Sequence, residues 1–183
     1  MKGEAKYNEA QVLNLLRDSS TSRRGFEIVV RHYSPLLYAQ IRKMAIDHDE
    51  ADDILQNVFL KAWLSLESFR GDSKLSTWLY RITMNECLDF LREQKERGFV
   101  SLEDEAVSQV AGSDPVDGDE INRLFHQAMS TLPEKQRIVF SLKYFKEMKY
   151  SEMSKVLDTS VGALKASYHL AVQKIAAFLE EHD

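Results

Sequence analysis

Cysteine is almost absent from this chain: Cys87 is the only one in 183 residues. An internal disulfide is therefore excluded, and nothing calls for an oxidising compartment. Proline (3) and glycine (7) are also scarce, while Leu, Ala, Glu and Lys are plentiful, which favours an all-α chain. No apolar run approaches the roughly 20 residues needed to cross a bilayer. The opening stretch MKGEAKYNEAQVLNLL lacks the apolar centre of a secretory signal, so a cytoplasmic location without direct membrane insertion is expected.

Catalytic signatures are missing as well. His32, His48, His126, His169 and His182 show no metal-ligand spacing, and Asp52-Asp53 lacks the loop spacing of a calcium site. There is no Gly-rich phosphate loop. Cys87 falls within an apolar pattern with no base nearby in sequence, which reads as a buried thiol rather than a nucleophile. No cofactor, no metal and no enzymatic activity are expected. No internal repeat is evident.

What is present suits a soluble, packed protein, with 44% hydrophobic and 29% charged residues. The net charge of −5 speaks against nucleic acid, but its distribution weakens that objection. Residues 98–120 contain seven acidic residues and no basic one. Removing those seven from the 29 acidic residues leaves 22 against 24 basic ones. Tight unaided DNA binding would call for a more basic chain, so either DNA is not the partner or a larger assembly supplies much of the affinity. The acidic stretch, with Gly112, Ser113, Pro115 and Gly118, reads as a flexible linker. It divides the chain into two small helical domains, 1–97 and 121–183.

Apolar spacing predicts a helix over residues 8–17 and a longer one over about 24–44, with Pro35 expected to kink or interrupt it. Residues 50–63 form an amphipathic helix with Ile54, Leu55, Val58, Phe59, Ala62 and Trp63 inward. Asp52, Asp53, Gln56, Asn57 and Lys61 line its other side, as a solvated face or as an acidic docking face. After the polar connector 69–74, helix signals resume with Ser73 or Ser76 as cap and run to about Glu96. Thr77, Trp78, Tyr80, Arg81 and Asn85 mix aromatic, hydroxyl, guanidinium and amide groups; the mixture suits unpaired bases, or the aromatics are simply core.

In the second domain, Leu132-Pro133-Glu134 opens a helix, and Lys135, Arg137, Lys143, Lys146 and Lys149 give it a basic edge. Residues 150–174 have the pattern of a helix-turn-helix. Met153, Val156 and Leu157 share one face of the first helix, and Asp158-Thr159-Ser160 breaks the chain and caps the next. Val161, Leu164, Tyr168, Ala171, Ile175 and Phe178 form the inward stripe of the second. In such a motif the outward N-terminal face of the second helix enters the major groove, although an ordinary helical hairpin has the same pattern.

The order of these pieces carries a resemblance. DEADDILQNVFLKAW (49–63) followed by FRGDSKLSTWLYRITMNECLDFLR (69–92) resembles the promoter-melting domain of bacterial sigma factors. Residues 131–175 resemble their C-terminal promoter-binding domain. Two domains joined by a short linker make the chain similar to the extracytoplasmic-function sigma factors over about residues 26–179. The resemblance implies core RNA polymerase (β′ clamp helices and β flap), promoter DNA and an anti-sigma factor, often membrane-bound, as partners. It places Asp52, Asp53, Gln56 and Asn57 on the β′ clamp. It assigns capture of a flipped −10 base to Phe69, Arg70, Gly71, Asp72, Ser73 and Lys74, and −10 reading and melting to Ser76, Thr77, Tyr80, Arg81 and Asn85. Trp78 is expected as a core anchor beside them. Ser160, Ala163, Lys165, Ala166, Ser167 and His169 fall at positions facing the −35 element.

Family recognition helices commonly carry Thr at the position of Ala163 and basic residues at those of Ser167 and Leu170, and an acidic residue is frequent at that of Asn57. Fewer basic groups imply weaker −35 binding with a shallower salt dependence. Two rival readings are a dimeric helix-turn-helix regulator, which leaves residues 49–92 unexplained, and a helical adaptor that binds no DNA.

Overall fold

The computed structural model describes residues 7–44, 46–101 and 120–182. Among them the chain is all-helical: α1 (Glu9–Arg17), α2 (Ser22–Arg42), α3 (His48–Leu64), a 3-10 turn (Leu66–Ser68), α4 (Leu75–Ser101), α5 (Glu120–Thr131), α6 (Glu134–Tyr144), α7 (Tyr150–Leu157) and α8 (Val161–His182). Helix α4 takes up the first residues of the expected linker and α5 its last; residues 102–119 lie outside the described residues.

Local chemistry starts the helices. The Asn8 side chain accepts from Gln11 N–H at 3.2 Å to open α1, and Asp47 accepts from Glu50 N–H at 2.8 Å to open α3. Each such cap contributes about 1 kcal/mol. Pro35 does not interrupt α2 as expected. Pro35 and Arg31, whose carbonyl loses its partner, are both exposed, so the missing bond falls on the solvent side of the helix. Neither Ser73 nor Ser76 caps α4: the N–H of Leu75 goes to Oε1 of Glu9 instead, at 3.0 Å.

The main core draws on both halves of the chain. Val29, Leu37 and Ile41 of α2, Ile54 and Val58 of α3, and Leu79, Met84 and Leu91 of α4 pack in one cluster with Ile138, Leu142, Met153, Val156 and Leu164 of α6 to α8. A smaller cluster of Ala128, Met129, Leu132, Phe140, Ala171 and Ile175 lies among α5, α6 and α8. Between the halves, Gln40 Nε2 donates to Ser141 Oγ at 3.0 Å, and both side chains are buried. Cys87 is fully buried, and burial raises its thiol pKa.

Three expected positions differ. Trp63 is 40% exposed, lying edge-on to Phe26 at the rim of the core rather than inside it. Val161, at the very start of α8, projects past the core and is 38% exposed. Arg137 does not join a basic edge: it is buried and donates to the carbonyls of Ser130 and Leu132, satisfying the end of α5. Desolvation lowers its pKa, with Glu134 opposing that shift.

Candidate functional site

Three surfaces gather the residues singled out above. On α3, Asp52, Asp53, Gln56 and Asn57 are all exposed. Their spacing of one, three and four places them on one side of the helix, while Ala51, Ile54, Val58 and Ala62 are buried on the other. Lys61 does not extend this acidic face freely; it is paired with Glu86 of α4. Near the start of α3, burial and the neighbouring Asp47 push the Glu50 carboxyl up to about 7.

The second surface is the 69–74 loop and the first turns of α4. Arg70, Gly71, Asp72, Ser73 and Lys74 are exposed, and Gly71 has φ +79, a conformation that L side chains rarely adopt. Phe69 is half-buried with its ring centroid 5.0 Å from that of Trp78, so the two aromatics pin the loop to α4. Trp78 packs against the core, as a core anchor would. Ser76 and Thr77 are half-buried. Arg81 and Asn85 are exposed, and the four-residue spacing aligns Thr77, Arg81 and Asn85 in one row.

Tyr80 departs from its expected DNA-facing position. It is 7% exposed, because it falls in register with the buried Thr83, Met84, Cys87 and Leu91. Lys146, from the turn between α6 and α7, sits over its ring at 5.1 Å. In this arrangement the C-terminal helices cover part of the α4 face.

The third surface is the helix-turn-helix. Asp158 adopts φ 48 to end α7, and Ser160 Oγ accepts from Ala163 N–H at 3.3 Å to start α8. These are the break and cap read from the sequence. Leu164, Ala171 and Ile175 are buried. Ser160, Ala163, Lys165, Ala166 and His169 are exposed and Ser167 is half-buried. Lys165 lies over the ring of Tyr150 at 5.9 Å, so its ammonium group is tethered near the start of α7.

Some residues that shape these surfaces carry no signal along the chain. Glu9 reaches Leu75 across 66 positions, and Gln40 reaches Ser141 across 101. Lys146 reads as one more surface lysine until the halves are brought together.

The comparisons with known proteins agree with this arrangement. The family model for sigma-70 region 2 matches residues 29–97, and that for sigma-70 region 4 matches residues 122–175. The chain is 31% identical over 155 residues to the ECF RNA polymerase sigma factor SigW of Bacillus subtilis, covering 79% of this chain and 83% of that one. It is 30% identical over 169 residues to the RNA polymerase sigma-H factor of Pseudomonas aeruginosa, covering 86% and 88%. Its fold is similar to CnrH, solved in complex with the cytosolic domain of CnrY (TM-score 0.64, 22% identity, 95% of this chain and 99% of that one). It is also similar to the sigma factor RpoE, solved in complex with the anti-sigma factor NepR from Bartonella quintana (TM-score 0.67, 22% identity, 85% and 96%). The chain belongs to the extracytoplasmic-function group of the sigma-70 family, the factors that direct RNA polymerase to promoters.

Proposed function

We propose that the three surfaces divide the work of promoter recognition. Asp52, Asp53, Gln56 and Asn57 dock on the β′ clamp helices of core RNA polymerase. The 69–74 loop captures a flipped −10 base, while Ser76, Thr77, Arg81 and Asn85 contact the melted strand beside it. Lys165 and its neighbours on α8 face the −35 element, with Ser160 at the helix start. Residues 1–97 and 121–183 act as two domains joined by 98–120. The protein works in the cytoplasm as a binding factor rather than as an enzyme.

The observation that carries this reading is the continuous exposed acidic and amide face of α3. Exposed along its length, it can meet a basic partner. Charge complementarity across such a contact speeds and orients docking. Tyr80 joins this contact only when Lys146 moves off its ring. An anti-sigma factor is a fitting further partner, because the similar folds of CnrH and RpoE were solved with protein partners bound.

The test is binding to purified core RNA polymerase by Asp53→Lys with Gln56→Lys. A loss of roughly 30-fold or more is expected from placing two cations against a basic surface; unchanged affinity would refute the docking face. In the same assay, Lys165→Ala should keep core affinity, weaken −35-dependent transcription and reduce the salt slope by about 1. Transcription equal to wild type would remove Lys165 from the −35 contact.

A further inference from the structure

Helix α1 lies ahead of both matched family segments, yet it touches the 69–74 loop region at two points. At one end, Oε1 of Glu9 accepts the N–H of Leu75, the first residue of α4. That N–H is one of the donors a helix start leaves without an internal partner. The local alternative is not used: the Ser73 hydroxyl turns to the carbonyl of Lys74 at 3.4 Å. The Glu9 carboxylate also sits at the positive end of the α4 dipole. At the other end, Nη2 of Arg17 lies over Gly71, 3.9 Å from where a Cβ would stand.

Three contacts hold α1 in place. Its backbone meets α2 so closely at Gly25 that a Cβ there would come within 2.9 Å of Leu15 Cβ. Thr21 Oγ1 donates to the Leu15 carbonyl at 2.8 Å, and the Tyr7 ring, just ahead of α1, stacks on His32 at 3.8 Å. A short helix fixed to α2 therefore brackets the loop, one end at the start of α4 and the other at the left-handed glycine.

We propose that α1 is a strut for the −10 loop and that Glu9 is a positioning residue for promoter melting. It touches no DNA; it fixes where α4 begins, and so where the loop between Phe69 and Lys74 holds its pocket. This rests on the reading of that loop as the base-capture element. A loop free to drift would lose part of the stacking and hydrogen bonding that offset base extrusion.

The experiment compares Glu9→Ala, Glu9→Gln and the loop variant Arg70→Ala with Lys74→Ala in holoenzyme assembled with core polymerase. Permanganate reactivity of −10 thymines reports melting, core affinity reports docking, and amide exchange at Leu75 in the free protein reports the cap. Glu9→Ala should lower melting about fivefold, the scale of a lost helix cap, with core affinity unchanged. Exchange at Leu75 should rise while exchange at Glu50, capped by Asp47, stays as it was. Glu9→Gln keeps an acceptor oxygen and should melt within about twofold of wild type.

Wild-type melting by Glu9→Ala would overturn the strut. So would an equal loss of melting and core affinity, which marks general support of the fold. If Glu9→Ala loses melting but the loop variant does not, the base-capture reading fails and the role assigned to Glu9 falls with it. If the loop variant alone loses melting, base capture stands and the strut fails.

Discussion

The two halves of the molecule differ in how much core each keeps to itself. Helices α1 to α4 enclose a run of fully buried side chains from Leu37 to Met84. Helices α5 to α8 enclose a smaller cluster centred on Met129 and Phe140 and commit Ile138, Leu142, Met153, Val156 and Leu164 to the N-terminal core. The exposure of their functional surfaces is arranged differently again. The acidic face of α3 and the outward face of α8 are open, whereas Tyr80 on α4 lies under Lys146. On the proposed reading, a factor built this way presents its polymerase-docking face while Tyr80, on the proposed −10 helix, is covered. Parting the halves would take Lys146 off Tyr80.

The largest effect should come from emptying that joint. Leu142 is fully buried in the shared cluster, and Leu142→Ala should cost about 3 kcal/mol through lost burial and the cavity left behind. Because the core is shared, urea unfolding should shift for probes in both halves; an unshifted N-terminal transition would break the comparison. A smaller effect is expected for Gln40→Ala, which leaves the buried Ser141 hydroxyl without its partner. The packed arrangement should weaken by about 1–2 kcal/mol. Chemical labelling of Tyr80 should then become faster while core polymerase affinity holds, and unchanged labelling would show that this bond does not hold the halves together.

The smallest effect concerns Glu50, which lies within the N-terminal half. Its folded pKa is raised to about 7 by burial and Asp47, above its unfolded value. The folded state therefore binds more protons between the two values, and stability falls as pH rises through that window. Glu50→Gln should stabilise the protein above pH 7 by less than about 1 kcal/mol, since the partly exposed carboxyl is screened by solvent. At pH 4 the variant and the wild type should unfold alike. A gain at pH 4 equal to that at pH 8 would show that ionisation is not its cause.

Helix identity and the helix-turn-helix were legible because they rest on local signals. Apolar spacing marks α3 and α8, and Asp158 and Ser160 mark the turn between α7 and α8. The row of Thr77, Arg81 and Asn85 is likewise a matter of helical period. The burial of Tyr80 is harder to read, because its chemistry suits DNA while its register belongs to Met84 and Cys87. Arg137 has the look of basic surface along the chain because its acceptors, the carbonyls of Ser130 and Leu132, are not displayed by composition. Ser73 and Ser76 are the local candidates for the cap on α4, whereas Glu9 supplies it from another helix, 66 positions away.

The most direct test of the account is the distance between the halves in the free and polymerase-bound protein. Spin labels at Arg23→Cys on α2 and Lys174→Cys on α8 occupy exposed positions, and the buried Cys87 stays out of the labelling reaction. The account predicts one well-defined distance in the free protein and a longer one on binding core polymerase. A broad spread of distances in the free protein, or the free-protein distance retained in a transcribing holoenzyme, would contradict it.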